Sequence, residues 1–162
     1  MMDDETRFWI AQEVADTKYT HDARHLFSLA KAVAGKRPKP LITDGLPAYH
    51  QAYMKEYQTN SIAATTHHIR KITLTGEQNN NKMERFNGEI RMIERPKRGL
   101  KKADSPILAG YQIYRNYVRP HEALDGRTRA DECGIRVEGE NKWITLIQNA
   151  KANYKSEPNR KP

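Results

Sequence analysis

Three features of the sequence predict a layered α/β domain. Residues 7–14, RFWIAQEV, are rich in bulky and β-branched types and read as a strand. A second short apolar run, residues 40–45, ends in Asp-Gly and also reads as a strand. Segments with helical periodicity follow each run and fill most of the remainder. At 162 residues the chain has the length of one domain and enough material for a hydrophobic core.

The elements are justified in chain order. Asp3, Asp4 and Glu5 form a turn ahead of the first strand. Residues 20–35 read as an amphipathic helix with Thr20 as N-cap and Asp22 in the first turn. Ala23, Leu26, Phe27, Ala30, Val33 and Ala34 share one face, and Gly35 closes the helix. Residues 46–57 form a second helix carrying Leu46, Tyr49, Tyr53 and Tyr57. Residues 58–78 are polar, with a weak strand signal at 69–74. A long helix begins at 79–81, puts Met83, Phe86, Ile90 and Ile93 on one face, and stops at Pro96. Residues 104–118 are helical, with Ile107, Tyr111, Tyr114 and Val118 as the stripe, and Arg119-Pro120-His121 breaks them. Short helical stretches at 128–133 and 141–153 precede a polar tail read as disordered.

Composition narrows the function. Hydrophobic residues make up 37% and charged residues 30%, which fits a polar, soluble domain. The 28 Lys and Arg outnumber the 20 Asp and Glu, a net charge of +8. The isoelectric point near 9.6 is in the range of domains that meet polyanions, so nucleic acid is the expected partner. The single cysteine, Cys133, excludes an internal disulfide and a cysteine-built zinc finger. No apolar run approaches the roughly 20 residues of a membrane helix. The first residues, MMDDETRFW, lack the basic and apolar regions of a signal peptide, so an intracellular location is expected.

Two carboxylates stand out. Asp44 ends an apolar strand, the edge at which open α/β sheets gather ligands. It also suits a turn or helix cap, as Asp-Gly pairs commonly do. Glu84 lies in the first turns of the long helix, on the side opposite its apolar face, where a solvated role is the ordinary one. Arg91 follows two helical turns later on the same stripe. One acid at a strand end and one on a helix can converge on a hard divalent cation. Mg²⁺ is commonly held by one or two carboxylates together with substrate phosphate. Paired ions of this kind activate the attacking oxygen and stabilise the leaving oxygen in phosphodiester displacement.

Three motifs give these acids a context. They are Ile42-Thr43-Asp44-Gly45-Leu46-Pro47-Ala48-Tyr49, Asn79-Asn80-Asn81-Lys82-Met83-Glu84-Arg85-Phe86-Asn87-Gly88, and Tyr114-Arg115-Asn116-Tyr117-Val118-Arg119-Pro120-His121-Glu122-Ala123-Leu124. In this order they resemble DDE-type insertion-sequence transposases of prokaryotes, which have an integrase-like catalytic core. The resemblance runs from about residue 3 to 135, and residues 136–162 are a C-terminal helix and tail. It implies a ribonuclease-H-like fold, a Mg²⁺ or Mn²⁺ site, cleavage of transposon-end phosphodiesters and strand transfer into target DNA. Asp44 matches the second Asp of the family triad, Glu84 its Glu, and Arg91 a basic residue able to reach phosphate. A homo-oligomer on transposon-end and target DNA and a cytoplasmic, nucleoid-associated location are also implied.

The departures are specific. The family's first Asp lies on a first strand for which this chain has no counterpart, and its DNA-end-binding helical domain has none either. Asp3 and Asp4 match a turn instead, and Arg129 stands where the family usually has Pro. The expectation is therefore a core lacking the first strands, an incomplete copy. A catalytically inactive DNA-binding remnant is the alternative.

Further candidates are weaker. Lys82, Arg85, Lys97, Arg98, Lys101 and Lys102 offer phosphate contacts, or simply a solvated basic surface. His21 and His25 have the i, i+4 spacing of two metal ligands, although a solvated helix face explains them as well. His67 and His68 would point to opposite faces of a strand and, with Arg70 and Lys71, either touch a DNA backbone or cover surface. Arg119-Pro120-His121 is read as structural.

Overall fold

The computed structural model describes residues 1–58, 66–70, 81–97 and 106–156. The chain forms two compact units. The first comprises Met1–Asp4 and Trp9–Ser105, the second Glu5–Phe8 and Pro106–Pro162.

The first unit is mixed α/β. It contains α1 (Thr20–Ala34), β1 (Pro40–Ile42), α2 (Pro47–Glu56), β2 (His67–Ile69) and α3 (Asn81–Glu94). The strands β1 and β2 pair in parallel, with Pro40 opposite His67, Leu41 opposite His68 and Ile42 opposite Ile69. The amides of His67 and Thr43 extend the ladder, bonding to the carbonyls of Lys39 (2.8 Å) and Ile69 (3.1 Å). Parallel strands need a crossover, and α2 lies within the connection from β1 to β2.

Helix α1 forms where its periodicity predicts. The cap is Tyr19 rather than Thr20, because Asp22 accepts from the Tyr19 amide (3.1 Å) and from the Thr17 hydroxyl (2.6 Å). Gly35 takes the left-handed conformation at φ 64° and donates to the Lys31 carbonyl. Ala23, Phe27 and Ala30 are buried, whereas Val33 and Ala34, past the end of the packed face, are exposed. Pro47 starts α2 at a position where its missing amide costs nothing. The two helices and β1 enclose a core of Ala23, Phe27, Leu41, Ala52 and Tyr57, edged by Leu26, Tyr49 and Tyr53. The Tyr57 hydroxyl donates to the Phe27 carbonyl at 2.9 Å, so its polar end is satisfied inside.

The expected strand at 7–14 is absent. Among the described residues its ladder pairing is a single antiparallel bridge between Trp9 and Met2, and the amides of Ile10 and Ala11 both turn to the Met1 carbonyl. Arg7 adopts a left-handed φ of 58°, which interrupts an extended run. Phe8, Trp9 and Ala11 are nonetheless buried: Trp9 packs edge-on against Phe86 of α3, with ring centroids 4.6 Å apart. Among the described residues no neighbouring strand offers residues 7–14 a ladder. Strand β2 begins two residues earlier than expected, and residues 71–80 lie outside the described part. Helix α3 ends in a single tight turn at Arg95–Lys97, containing Pro96 as anticipated.

The second unit is helical. α4 (Pro106–Ile113) continues into a wider π-type turn (Tyr114–Val118), closed by the Arg119 amide on the Tyr114 carbonyl. Then come α5 (Arg129–Glu132) and α6 (Lys142–Ser156). Among the described residues, no helix is long and apolar enough to cross a membrane.

Candidate functional site

The carboxyl edge of β1 is built by a tight turn. Asp44 follows the strand and is exposed. Its Oδ1 accepts from the Leu46 amide at 3.2 Å, so the carboxylate also organises the entry to α2. Gly45 has φ 84°, and a Cβ there would sit 2.9 Å from the Arg70 carbonyl oxygen. Glycine is therefore required on two counts, and it fixes where Asp44 stands. Burial pushes the Tyr49 phenol pKa up, and the nearby Asp44 charge adds to the effect. The acid thus keeps one oxygen for the turn and exposes its charge to solvent.

Glu84 lies in the first turn of α3 and is exposed, as is Arg91 two turns later. Their stripe is opposite buried Phe86, as the periodicity required. Exposed Arg85 lies on the same helix, and exposed Arg95 continues just beyond it. Lys82 is engaged differently: its Nζ donates to the Asp4 carboxylate at 2.9 Å and to the Asp4 carbonyl at 3.0 Å. Asp4 lies in a turn, as expected for the early acids, and anchors the chain start to α3. Arg98, Lys101 and Lys102 lie outside the described residues, and Lys97 is described only as part of the terminal turn.

Two exposed carboxylates are donors of the type a hard divalent cation takes, together with phosphate and water. Among the described residues, no three His, Cys, Asp or Glu side chains form a group able to hold a metal. His21 and His25 do not act as a pair. His25 Nδ1 meets Glu13 at 2.6 Å, and His21 meets Asp22 at 3.1 Å.

The third motif forms a buried polar framework. Arg115 and Asn116 lie on the π-type turn and are almost fully buried. Arg115 donates to the Arg7 carbonyl at 3.2 Å. Arg129, also buried, donates to the Arg115 carbonyl at 2.9 Å. The arginine found where Pro was expected therefore bonds to a backbone carbonyl of the widened turn. His121 organises the next loop: its Nδ1 accepts from the Ala123 amide, and its carbonyl accepts from Leu124 and Gly126. Periodicity could not reveal these roles, because charged residues on a helix are ordinarily assigned to solvent.

One cluster escaped the sequence reading. His68 of β2 is half-buried beside Thr43, His50 and Tyr53, while His67 is exposed on the opposite face. The alternation of the two histidines was legible; the meeting with α2 was not, because eighteen positions separate His50 from His68.

Comparison with protein-family models, with curated proteins and with solved structures gives no match to this chain. Among the described residues, the structure by itself defines a class, a small mixed α/β unit with one parallel strand pair, followed by a helical unit.

Proposed function

We propose that the chain is the catalytic-core segment of a DDE-type insertion-sequence transposase with a ribonuclease-H-like fold. It acts on transposon-end and target DNA with Mg²⁺ or Mn²⁺. The observation that carries the reading is Asp44, exposed at the carboxyl end of a parallel strand and set there by Gly45. It precedes, in the family's order, a helix bearing exposed Glu84 and the segment Tyr114–Leu124. Asp44 and Glu84 would hold the cation, and Arg91, on the Glu84 stripe, would contact a phosphate. The bound cation would supply charge neutralisation at the scissile phosphate and activation of the attacking oxygen. The chain's own contribution is positioning: the Gly45 turn fixes one carboxylate and α3 presents the other.

The test is nicking of DNA that carries transposon ends, with Mg²⁺ or Mn²⁺ present. Asp44→Asn and Glu84→Gln are each expected to abolish cleavage. Asn preserves the Leu46 amide bond, so the fold persists. Cleavage unchanged in both variants overturns the assignment.

A second reading, a DNA-binding remnant without cleavage, is favoured by the exposed Arg85 and Arg91 on α3, by exposed Arg95 in the turn just beyond it, and by the net charge of +8. Binding that weakens steeply with salt, without metal-dependent nicking of any DNA, would select it.

A further inference from the structure

The side chains of His50 and His68 meet end to end. Their Nδ1 atoms are 3.4 Å apart, and the ring planes differ by 12° with centroids 5.7 Å apart. That separation is long for a hydrogen bond, whose donor–acceptor distance peaks near about 2.9–3.0 Å. The distance, though not the present head-on orientation of the rings, matches another geometry. Two nitrogens each about 2.0–2.1 Å from one tetrahedral ion lie about 3.3–3.4 Å from each other.

We propose that His50 and His68 form a two-imidazole site for a borderline transition cation of the Zn²⁺ class, bound through both Nδ1 atoms.

The surroundings favour this over a simple ring contact. Thr43 Oγ1 lies 3.0 Å from His68 Nε2. With the proton on Nε2, His68 donates to that hydroxyl and turns the Nδ1 lone pair toward His50. Fixing the outer nitrogen of a ligating histidine is the usual means of selecting its tautomer. His68 is further held by its strand and by Tyr53, whose ring lies 4.9 Å away and whose hydroxyl is anchored to the Thr66 carbonyl. His50 sits on α2 and is only half-buried. Because the nitrogens face each other head-on, entry of the ion requires the rings to tilt, and His50 has the freer side chain for it.

Among the described residues, no third His, Cys, Asp or Glu completes a ligand group. The remaining positions on the ion therefore belong to water or to a donor atom of a bound ligand. Nitrogen donors also separate this site from the Asp44 and Glu84 oxygens: imidazole suits Zn²⁺, Cu²⁺ and Ni²⁺, and carboxylate suits Mg²⁺ and Mn²⁺. The inference does not depend on transposase chemistry.

The test is calorimetric titration of the full chain with Zn²⁺ at neutral pH, with and without excess Mg²⁺. One Zn²⁺ per chain is expected, with Mg²⁺ failing to compete. His50→Gln should weaken binding at least tenfold, whereas the double change His21→Gln with His25→Gln should leave it intact. Thr43→Val should weaken it about 10–100-fold, as loss of an outer-shell partner does. Nitrogen NMR of the unaltered protein supplies a readout independent of variant folding: Zn²⁺ should shift the Nδ1 resonances of both rings together. Absence of Zn²⁺ binding, binding unaffected by His50→Gln, or Nδ1 resonances that do not move would overturn the site.

Discussion

The backbone of Gly45 passes so close to Arg70 that a methyl group on its Cα would lie 2.9 Å from the Arg70 carbonyl oxygen. Gly45 also holds φ at 84°, a conformation costly for any residue with a Cβ. This contact ties the turn after β1 to the end of β2, and Asp44 rides on that turn. Gly45→Ala is expected to lose about 1–3 kcal/mol of stability, through strain and through the displaced carbonyl. Urea unfolding checks it. A variant as stable as the parent would mean the turn is loosely held.

The core between α1 and α2 depends on Phe27 and Tyr57, each about 1% exposed with rings 5.5 Å apart. Phe27→Ala should cost about 3–5 kcal/mol, since it removes an aromatic ring from a packed interior. Tyr57→Phe removes only the bond to the Phe27 carbonyl and should cost about 1 kcal/mol. The two residues touch, so the double variant is expected to depart from the sum of the single effects in an unfolding series.

Thr128 caps α5 with a reciprocal pair of bonds. Its hydroxyl accepts from the Asp131 amide at 3.2 Å, and the Asp131 carboxylate accepts from the Thr128 amide at 2.9 Å. Thr128→Ala should destabilise the second unit by about 1 kcal/mol in thermal unfolding.

The same carboxylate sets an acid limit. Burial pushes the Asp131 pKa up, but the Thr128 bonds and Lys142 outweigh it and leave the pKa below its ordinary value. A carboxyl group with a lowered folded-state pKa stabilises above its unfolded value, about 3.9, and loses that contribution as pH falls through the folded value. The second unit should therefore lose stability on acidification below about pH 4, and Asp131→Asn should flatten that dependence. Circular dichroism across an acid titration of both proteins reads the difference.

Arg91 is exposed on the Glu84 stripe of α3. If it neutralises one phosphate, Arg91→Ala should reduce the slope of log K against log salt by about 0.9. Fluorescence anisotropy with duplex DNA over a salt series measures it. An unchanged slope would remove Arg91 from the interface.

Much of the architecture was legible because local signals agree with tertiary demand. The i, i+3, i+4 spacing of Ala23, Phe27 and Ala30 fixes which face of α1 is buried. Gly35 and Pro47 mark a helix end and a helix start for reasons internal to the backbone. Asp44 and Glu84 were also legible as exposed acids, one behind a strand and one on the polar side of a helix.

Other features had no local signature. Residues 7–14 have strand composition, yet a strand is a relation between two segments, and among the described residues the pairing is one bridge from Trp9 to Met2. Arg115 and Arg129 look like surface residues in the sequence, yet both are buried and Arg129 donates to the Arg115 carbonyl in the π-type turn. His50 and His68 come together only because β1 and β2 pair in parallel and α2 crosses between them. Helix periodicity, caps and exposed charge are set by neighbours within a turn or two and can be read from the chain. Strand partners, buried cations and facing imidazoles are set by which distant segments fold together, and that is decided in three dimensions.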